Sequence, residues 1–383
     1  VVYWDGRWDP PEMLDDYIRE AKEIGVSCFT GSQAGHAADI LERAKRLNPK
    51  IVTHVGGHHA RLCTAEVKQE PFVDQVGPER AYHEHSFPFS PEAQRLWKRG
   101  SMQYITSSGC PYACTFCALR SAWEPRPLAQ IEREINTLYD LTGFKEVSFS
   151  DPNIGYEKTR GPDGHTERHN RVERLKGIGK ILRPLGIKWD GNIRADYITQ
   201  ELVDVMAWSG CFSIEFGCES GNDEFLRKVI KKGHGVDTIK SANQFMHGSG
   251  ISVMNSFIRG MPREQHEQWL DTMELIDWIM GIAPEARASV YRFTPYPGGP
   301  AYDDALAGIG VEKFVPPKTM KEWGSMKLMV DATYWCAGMC FRLDNSQKNF
   351  PGEGVLMRRC RIVCSFRMNN FRGDGRTIYK YKK

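Results

Sequence analysis

Three cysteines in the middle of the chain have the spacing needed to hold an iron–sulfur cluster. Cys110, Cys114 and Cys117 follow the pattern C-x3-C-x2-C within the segment SSGCPYACTFC. Three thiolates at this spacing can wrap a loop around one cubane cluster, and they leave its fourth iron without a protein ligand. Gly109 and Pro111 suit the tight turn of such a loop. Because an open iron can bind a substrate or a cofactor, the segment indicates chemistry and not electron transfer alone.

Two other interpretations of the cysteines stand beside this one. They are three unrelated buried thiols, or a zinc site that lacks its fourth ligand. The polar loops that follow the predicted strands favour the cluster, because they supply an independent context for it.

The cysteine segment resembles the signature of the radical SAM superfamily. In that family three cysteines hold a 4Fe–4S cluster, whose open iron binds the amino and carboxylate groups of S-adenosylmethionine (SAM). The reduced cluster cleaves SAM to methionine and a 5′-deoxyadenosyl radical. The segment is most similar to the branch with a cobalamin-binding domain in front of the radical domain. The resemblance implies that Phe116, before the last cysteine, is a further cofactor contact. That branch includes methyltransferases and the anaerobic magnesium-protoporphyrin monomethyl ester cyclase.

Length and composition are those of a globular protein with room for more than one domain. The chain has 383 residues, of which 41% are hydrophobic and 26% charged, and its net charge is +3. This charge is too small to indicate nucleic acid, and neither a membrane span nor a secretory signal is visible. Eleven cysteines, three of them in the predicted cluster triad, predict a reducing cytoplasm. The chain begins without methionine, so we expect a fragment or a trimmed chain.

The first part of the chain predicts a small parallel sheet. Strands at residues 1–4, 26–29 and 51–55 alternate with helices at 10–24 and up to about Leu47. The carboxyl ends of parallel strands meet at one edge, where ligands bind. Two glycine loops, residues 30–35 and 56–59, fall at that edge, although ordinary turn chemistry is an alternative explanation for each.

Together the two loops resemble the cobalamin-binding domain of the same branch, which carries T-G-x-Q and G-G-x-H at these places. The resemblance implies contacts to the corrin side chains and the nucleotide tail from Thr30, Gly31, Gln33, Gly56, Gly57 and His58. The motif D-x-H-x-x-G is absent from the sequence, so no histidine ligand to cobalt is expected. The spacings of His54, His58, His59, His83 and His85 fit no helix-face pair, which argues against zinc. Compared with the family, this domain lacks its first strand and helix, and an acidic pattern is missing from 71–86.

A second, larger region predicts a partial (β/α)6 barrel similar to a TIM barrel. Strand-like segments alternate with helical ones such as residues 128–141, which Gly143 closes. Right-handed crossovers place the carboxyl end of every strand at one rim. The strand-like segments are 102–106, 146–150, 187–190, 212–217, 251–257 and 288–293.

Polar or glycine-rich segments follow each of these strands, as catalytic loops do in such barrels. A single one is equally an ordinary loop tip. After the cysteine loop come Asp151-Pro-Asn153, Asn192 with Arg194, Glu219-Ser220-Gly221, Arg259-Gly-Met-Pro262 and Thr294-Pro-Tyr-Pro-Gly298.

The superfamily resemblance assigns SAM contacts to these loops. It places the amino group at Asp151 and Asn153, the ribose and methionine moiety at Glu219 and Ser220, and the carboxylate at Arg194. Relatives usually have G-L-P-G-E where this chain has Gly260-Met-Pro-Arg-Glu264, a small departure.

Alternation in the fourth strand puts Glu215 and Glu219 on one face, toward the barrel interior. Buried carboxylates are costly unless they bind something. A cationic ligand such as SAM meets that need, and a salt bridge to Arg194 or Lys188 is the alternative.

The last region, from residue 299, is expected to be mainly helical, with one helix over 323–340. Cys336, Cys340, Cys360 and Cys364 form two C-x3-C pairs that suit either a second metal site or, as we favour, packed helix faces. The predicted division is therefore a shortened Rossmann-like cobalamin-binding domain at 1–86, a linker at 87–100, a radical SAM barrel at 101–298 and a C-terminal region at 299–383.

The predicted function is that of a cobalamin-dependent radical SAM enzyme that transfers a methyl group to an unactivated carbon. The alternatives are an oxidative cyclase, a radical enzyme without cobalamin and a non-catalytic iron–sulfur protein. The expected partners are a small-molecule substrate and a reductant such as flavodoxin or ferredoxin. No readable motif identifies the substrate.

Overall fold

The first region of the chain is a small parallel sheet covered by helices. The structure, a computed structural model, describes residues 4, 9–77, 102–119, 121–156, 159–160, 166–167, 172–282, 286–326, 332–336 and 339–342. The strands pair in the order β1-β2-β3 and all run parallel. The elements are α1 (Pro11–Glu20), β1 (Glu23–Ser27), α2 (Ser32–Leu47), β2 (Val52–Gly56), α3 (Gly57–Leu62), α4 (Thr64–Val67) and β3 (Gln75–Val76).

The second region alternates strands and helices as predicted. The cysteine segment lies in and after β5, which forms an antiparallel hairpin with β6. The elements are β4 (Met102–Tyr104), β5 (Ser107–Cys110), β6 (Ser121–Pro125), α5 (Leu128–Thr142), β7 (Glu146–Phe149), β8 (Thr159–Arg160), β9 (Thr166–Glu167), α6 (Val172–Leu182), β10 (Lys188–Ile193), α7 (Gln200–Trp208), β11 (Cys211–Glu219), α8 (Val236–Met246), β12 (Ser252–Arg259), α9 (His266–Ile282) and β13 (Ala286–Arg292).

One large sheet organises this second region. Its order is β15-β14-β13-β12-β11-β10-β7-β4, where β14 (Ala332–Cys336) and β15 (Met339–Arg342) form an antiparallel hairpin at one edge. The six strands from β4 to β13 in this sheet pair in parallel. All six predicted barrel strands are therefore confirmed, and their carboxyl ends lie on one side of the sheet.

The two faces of the large sheet differ in polarity. Trp189, Phe149, Phe216 and Phe257 are fully buried on the face that packs against the helices. Glu215, at an alternate position of β11, lies on the other face, which the parallel strands curve around. The helices thus cover the apolar face, and polar side chains are left for the barrel interior.

Several boundaries in the first region differ from the sequence predictions. Trp4, the one described residue of the predicted strand at 1–4, is not in a strand, and the predicted linker at 87–100 lies outside the described residues. Gly57 begins a helix, so the predicted loop at 56–59 is wrong beyond Gly56. The two-residue strand β3 was missed because its side chains carry no period-2 pattern.

The predicted helix over 323–340 is also wrong. Helix α11 (Met320–Ser325) ends early, and Cys336 and Cys340 lie on β14 and β15, where Cys336 pairs with Met339. The packed-helix explanation of this cysteine pair is therefore wrong, because the two cysteines lie on neighbouring strands of a hairpin and not on one helix. Cys360 and Cys364 lie outside the described residues.

The C-terminal segment packs into the core of the first region. Met320 and Trp323 of α11 are buried in the same apolar cluster as Leu41 and Val55 of the first sheet and its helix. Preceding them, α10 (Pro300–Ala307) reaches both cores, because Ala301 belongs to the barrel core and Tyr302 packs against the first.

Two glycines allow α2 and α11 to cross at close range. A Cβ atom on Gly35 would lie 2.8 Å from the Cα atom of Gly324. No L side chain larger than hydrogen fits at that separation, so this crossing depends on both glycines.

Replacing Gly324 by alanine should therefore destabilise the protein by about 1–3 kcal/mol, because the added methyl group overpacks the crossing. Alanine is otherwise the better helix former. Gly281→Ala, at a glycine of α9 with no atom within 4 Å of its virtual Cβ, is the matched control and should be neutral or stabilising by up to about 1 kcal/mol. Urea unfolding measures both, and equal effects in the two variants would refute the close crossing.

Candidate functional site

The cysteine loop begins at a backbone position that favours glycine. Gly109 has φ +77°, in the left-handed region, at an irregularity between β5 and β6. The amide of Cys117 donates to the carbonyl of Cys114 at 3.1 Å, which closes the turn between the second and third cysteines. The Leu119 amide donates to Cys117 Sγ at 3.4 Å. The expected turn is thus present, and it presents the three thiols from one short loop.

The loop docks onto the end of a π-helix, Phe225–Ile230, that follows β11. The Thr115 amide donates to the carbonyl of Ile230 at 3.0 Å, and the Thr115 hydroxyl donates to that of Val229 at 2.8 Å. On its other side, the amide of Ala301 donates to the Thr115 carbonyl at 3.0 Å. Three hydrogen bonds to one residue fix the loop between two separate elements.

Burial sets the protonation of the thiols. Cys114 is buried, and Cys110 and Cys117 are half-buried. Burial raises the pKa of Cys114 and of Cys117, while the charge of Lys232 opposes the rise at Cys114. The charges of Cys114 and Cys110 raise the pKa of Cys117 further. Thiolates here need a cationic ligand, and the donor set fits an iron–sulfur cluster.

Among the residues that the structure describes, no group of three His, Cys, Asp or Glu side chains converges on a single metal ion. A cubane does not require such convergence, because each thiolate binds a different iron.

Asp151 anchors the strand that leads into the cysteine loop. Its two carboxylate oxygens accept hydrogen bonds from the amide and the hydroxyl of Thr106, at 2.8 and 2.7 Å, and from the hydroxyl of Ser107, at 2.6 Å. The residue is fully buried, and that burial raises the pKa of its carboxyl. Three protein donors therefore surround the carboxylate that the family resemblance assigns to the SAM amino group.

Asn153 carries a buried amide that is not fully used. Its Oδ1 accepts from the amide of Arg194 at 3.4 Å, whereas its Nδ2 finds no hydrogen-bond partner among the described residues. An unsatisfied buried donor costs about 1–3 kcal/mol, so this amide is suited to meet a ligand oxygen.

Arg194 is held by the protein itself. Its guanidinium forms a two-point ion pair with Asp196, at 2.9 and 3.0 Å, and donates to the carbonyl of Lys232 at 2.6 Å. It also stacks over the ring of Tyr112, with 3.6 Å from the guanidinium carbon to the ring centroid. Tyr112 stands between two cluster cysteines, and its hydroxyl bonds that of Tyr197. Arg194 thus holds the cysteine loop from the side.

Glu219 is paired with a residue that the sequence did not suggest. The Nζ atom of Lys232 lies 2.7 Å from Glu219 Oε1, and the two side chains are 5% and 8% exposed. The predicted salt bridge of Glu219 to Arg194 or Lys188 is therefore wrong, because its counterion is Lys232. A bulge after Gly217 and φ +68° at Glu219 itself turn the carboxylate toward Lys232 at the end of β11.

Ser220 and Glu215 lie in hydroxyl networks. Ser220 is fully buried, and its Oγ lies 3.3 Å from Thr272 Oγ1 of α9. Ser256 donates a short hydrogen bond to Glu215 and lies 3.2 Å from Ser289. Burial raises the pKa of Glu215. The barrel interior therefore carries polar side chains, where a fully packed barrel would carry branched apolar side chains.

Arg263 stands at the position where the comparison with G-L-P-G-E expects glycine. Where relatives usually have glycine, this residue has φ +69°, and its guanidinium forms a two-point ion pair with Asp304. The backbone keeps the conformation that favours glycine, so the substitution changes the residue and not the turn.

In the first region, the two predicted loops meet at the carboxyl edge of the sheet. The amide of Phe29 donates to Gln33 Oε1 at 3.1 Å, and Thr30 and Gly31 are buried in the same turn. Gly57 has φ +86°, and a Cβ there would lie 2.8 Å from the Cys28 carbonyl oxygen, so a side chain would be strained. Phe29 is 58% exposed and its ring lies beside that of His58. An apolar surface thus borders the glycine turn.

His59 is a functional candidate that the sequence comparison missed. Counting G-G-x-H from Gly56 puts the histidine at 59, not at 58. His59 is fully buried with its Nδ1 3.2 Å from Thr30 Oγ1, whereas His58 is half-buried and pairs with Arg61. Burial lowers the pKa of His59 to about 4, so its ring is neutral.

Comparison with known proteins agrees with this geometry. The profile of the radical SAM superfamily matches residues 104–276. The chain carries a radical SAM domain. The prediction of a radical SAM domain is thereby confirmed, and the matched range contains all three cysteines, Asp151, Arg194 and Glu219.

The similar proteins include methyltransferases. An uncharacterised methyltransferase of Pyrococcus horikoshii is 27% identical over 213 residues, which cover 53% of this chain and 41% of that protein. The cytidylyl-2-hydroxyethylphosphonate methyltransferase of Streptomyces wedmorensis is 22% identical over 335 residues, covering 65% and 60%. The chain thus spans about half the length of these curated relatives.

A solved structure shows the same fold. The radical SAM methyltransferase TsrM from Kitasatospora setae, with cobalamin and a [4Fe-4S] cluster bound, matches with a TM-score of 0.59 at 16% identity, over 83% of this chain and 73% of that one. The predicted fold class is therefore confirmed. In the part of the chain that the structure describes, no helix is long and apolar enough to cross a membrane.

Lys232 and Phe29 were missed as well. Lys232 follows a second lysine in a charged stretch, where a solvated face is the usual expectation, and only the left-handed turn at Lys231 directs it inward. No pattern in the sequence around Phe29 marks its side chain as exposed.

Replacing Lys232 by methionine should destabilise the protein by about 3–5 kcal/mol, because Glu219 would stay buried without its counterion. The exposed pair Lys228–Glu224, at 2.8 Å, provides the control: Lys228→Met should cost about 0–1 kcal/mol. The double variant Glu219→Gln/Lys232→Met should recover much of the loss. Urea unfolding tests all three, and a similar cost for the two lysines would contradict the buried pair.

Proposed function

We propose that the chain is a cobalamin-dependent radical SAM methyltransferase that acts on an unactivated carbon of a small molecule. The observation that carries the proposal is the placement of three thiols on one anchored loop beside the buried Glu219–Lys232 pair. The curated relatives, which are methyltransferases, support it, as does the likeness to TsrM with its cobalamin and cluster.

Cys110, Cys114 and Cys117 would hold the 4Fe–4S cluster. With SAM at the open iron, that cluster supplies a 5′-deoxyadenosyl radical after one-electron reduction. Pro111 and Ala113 are exposed on the cysteine loop, so a reductant such as flavodoxin or ferredoxin can approach the cluster at this point.

Five rim residues would orient SAM. The free amide of Asn153 is the donor best placed for a SAM oxygen, and Ser220 and the Glu219–Lys232 pair offer further groups of both charges. Arg194 would stay near the SAM carboxylate while bound to Asp196. We assign Asp151 the role of holding the cysteine loop, since its oxygens already accept three hydrogen bonds.

Phe116, next to the last cysteine, packs partly against the barrel core and would border the cluster. Water must be kept from a primary radical, and this apolar ring contributes to that exclusion.

The first sheet would hold cobalamin at its carboxyl edge. Thr30, Gly31, Gln33, Gly56, Gly57 and the two histidines form the turn there, and Phe29 provides an apolar ledge. Gly57 lets a large planar ligand approach the backbone. The substrate would lie between this edge and the barrel, in contact with polar interior groups such as Glu215 and Ser256.

Cys114→Ala should abolish the formation of 5′-deoxyadenosine and lower the iron content, because one cluster ligand is lost. The assay is mass spectrometry after anaerobic reconstitution with iron and sulfide, reduction with dithionite and addition of SAM. Cys211→Ala is the control, since that thiol is equally buried, at 8% exposure, but lies outside the loop. A normal amount of 5′-deoxyadenosine from Cys114→Ala, or an equal loss of its formation in both variants, would refute the assignment of the cluster ligands.

The reconstituted protein should also retain about one cobalt beside about four irons after incubation with hydroxocobalamin and desalting. Phe29→Ser should reduce the retained cobalt several-fold, because it removes an exposed apolar contact. Phe245→Ser, at another exposed phenylalanine (39%), should not. Four irons with no cobalt would refute the hypothesis that the enzyme depends on cobalamin. Formation of 5′-deoxyadenosine without methylation of any product would favour the cyclase chemistry.

A further inference from the structure

Two buried ring nitrogens from distant parts of the chain lack hydrogen-bond partners. His59 is 0% exposed and Trp323 is 1% exposed. Within the described residues, neither His59 Nε2 nor Trp323 Nε1 has a partner. The two rings pack edge to face, with centroids 5.9 Å apart at 71°. Most buried polar atoms in proteins have a hydrogen-bond partner, so two unsatisfied nitrogens on contacting rings point to a shared bound group.

Each ring belongs to an element that is fixed. The His59 amide donates to the Cys28 carbonyl at 3.1 Å, and its Nδ1 lies 3.2 Å from the Thr30 hydroxyl. Trp323 stands on α11, whose Met320 amide donates to Glu70 at 2.6 Å and whose Lys321 pairs with Glu42. Both rings are therefore held in place by their own elements.

The chemistry of the rings decides what fits there. An indole N–H can only donate, so the bound group must accept from Trp323. A neutral imidazole has one donor and one acceptor nitrogen, and which one donates is set by its partners. A water molecule can accept from Trp323 and donate to His59 Nε2, and buried waters commonly join two to four such groups.

We propose that one buried water links Trp323 to His59 and that Trp323 is thereby a positioning residue for the ligand edge of the first sheet. In this arrangement the water donates to Nε2, so the ring hydrogen of His59 lies on Nδ1. That hydrogen is donated to Thr30 Oγ1, and the hydroxyl hydrogen of Thr30 is left free to point at a ligand acceptor. The role of Thr30 toward cobalamin rests on the proposed function, whereas the relay itself does not.

The first test is nuclear magnetic resonance of the protein labelled with ¹⁵N-histidine. Wild type should show His59 with hydrogen on Nδ1 and with a hydrogen-bonded Nε2. Trp323→Phe keeps most of the ring and removes the donor, so the Nε2 resonance should move. Phe314→Leu is the control, because Phe314 packs against Trp323 without a polar atom. That variant loosens the same core but should leave the His59 nitrogens unchanged.

The second test is the affinity for hydroxocobalamin. Trp323→Phe and Thr30→Val should each weaken binding about three- to tenfold, the usual effect of one hydrogen bond. The double variant should bind hydroxocobalamin as tightly as the single variant with the lower affinity, because both substitutions act through one chain of hydrogen bonds.

The two tests separate the relay from the proposed function. A wild-type protein that binds no cobalamin, but whose His59 resonances move only in Trp323→Phe, would refute the ligand and support the relay. Hydrogen on Nε2 in wild type, or unchanged resonances in Trp323→Phe, would overturn the relay. So would fully additive losses of cobalamin affinity in the double variant.

Discussion

One turn of chain, residues 229–232, holds the rim of the barrel together. The carbonyls of Val229 and Ile230 accept both hydrogen bonds from Thr115, which fixes the cysteine loop. Two residues later, the Lys232 carbonyl accepts from Arg194 and its Nζ pairs with Glu219. The last carbonyls of a helix have no partner within it, so the carbonyls at this helix end can accept hydrogen bonds from other segments. The π-helix ends at a left-handed residue, Lys231, and the carbonyls at this end bind two neighbouring segments while the Lys232 side chain binds a third.

This dependence explains why some parts of the site were predictable and others were not. The cysteine spacing, the six strands and the order of polar loops are local patterns, and parallel topology alone brings the loops to one rim. The partners inside the rim are not local. Lys232 pairs across 13 positions and Asp151 bonds across 45, so no spacing in the sequence marks them. Alternation along β11 correctly placed the Glu219 side chain on the interior face. It could not predict the counterion, because a bulge in β11 and the turn at Lys231 bring Lys232 to this carboxylate.

The C-terminal prediction failed for a related reason. The stretch after Trp323 has apolar residues at spacings that suit a helix, yet in the structure it supplies a hairpin to the exposed edge of the large sheet. An edge strand of unpaired amides and carbonyls is a strong tertiary influence that propensity does not include. The cysteines of this stretch lie on separate strands as a result.

The segment 300–326 also sets a distance. At its start, Ala301 is bonded to the cysteine loop, and at its end, Trp323 is packed into the core of the first sheet. The loop that carries the thiols and the sheet edge with the glycine turn are thus joined by one short, anchored stretch of backbone. The length of this stretch, more than any single contact, determines the distance between a group bound at the cysteine loop and a group bound at the edge of the first sheet. Chains of this architecture with insertions between α10 and α11 would have a different gap, and with it room for substrates of a different size.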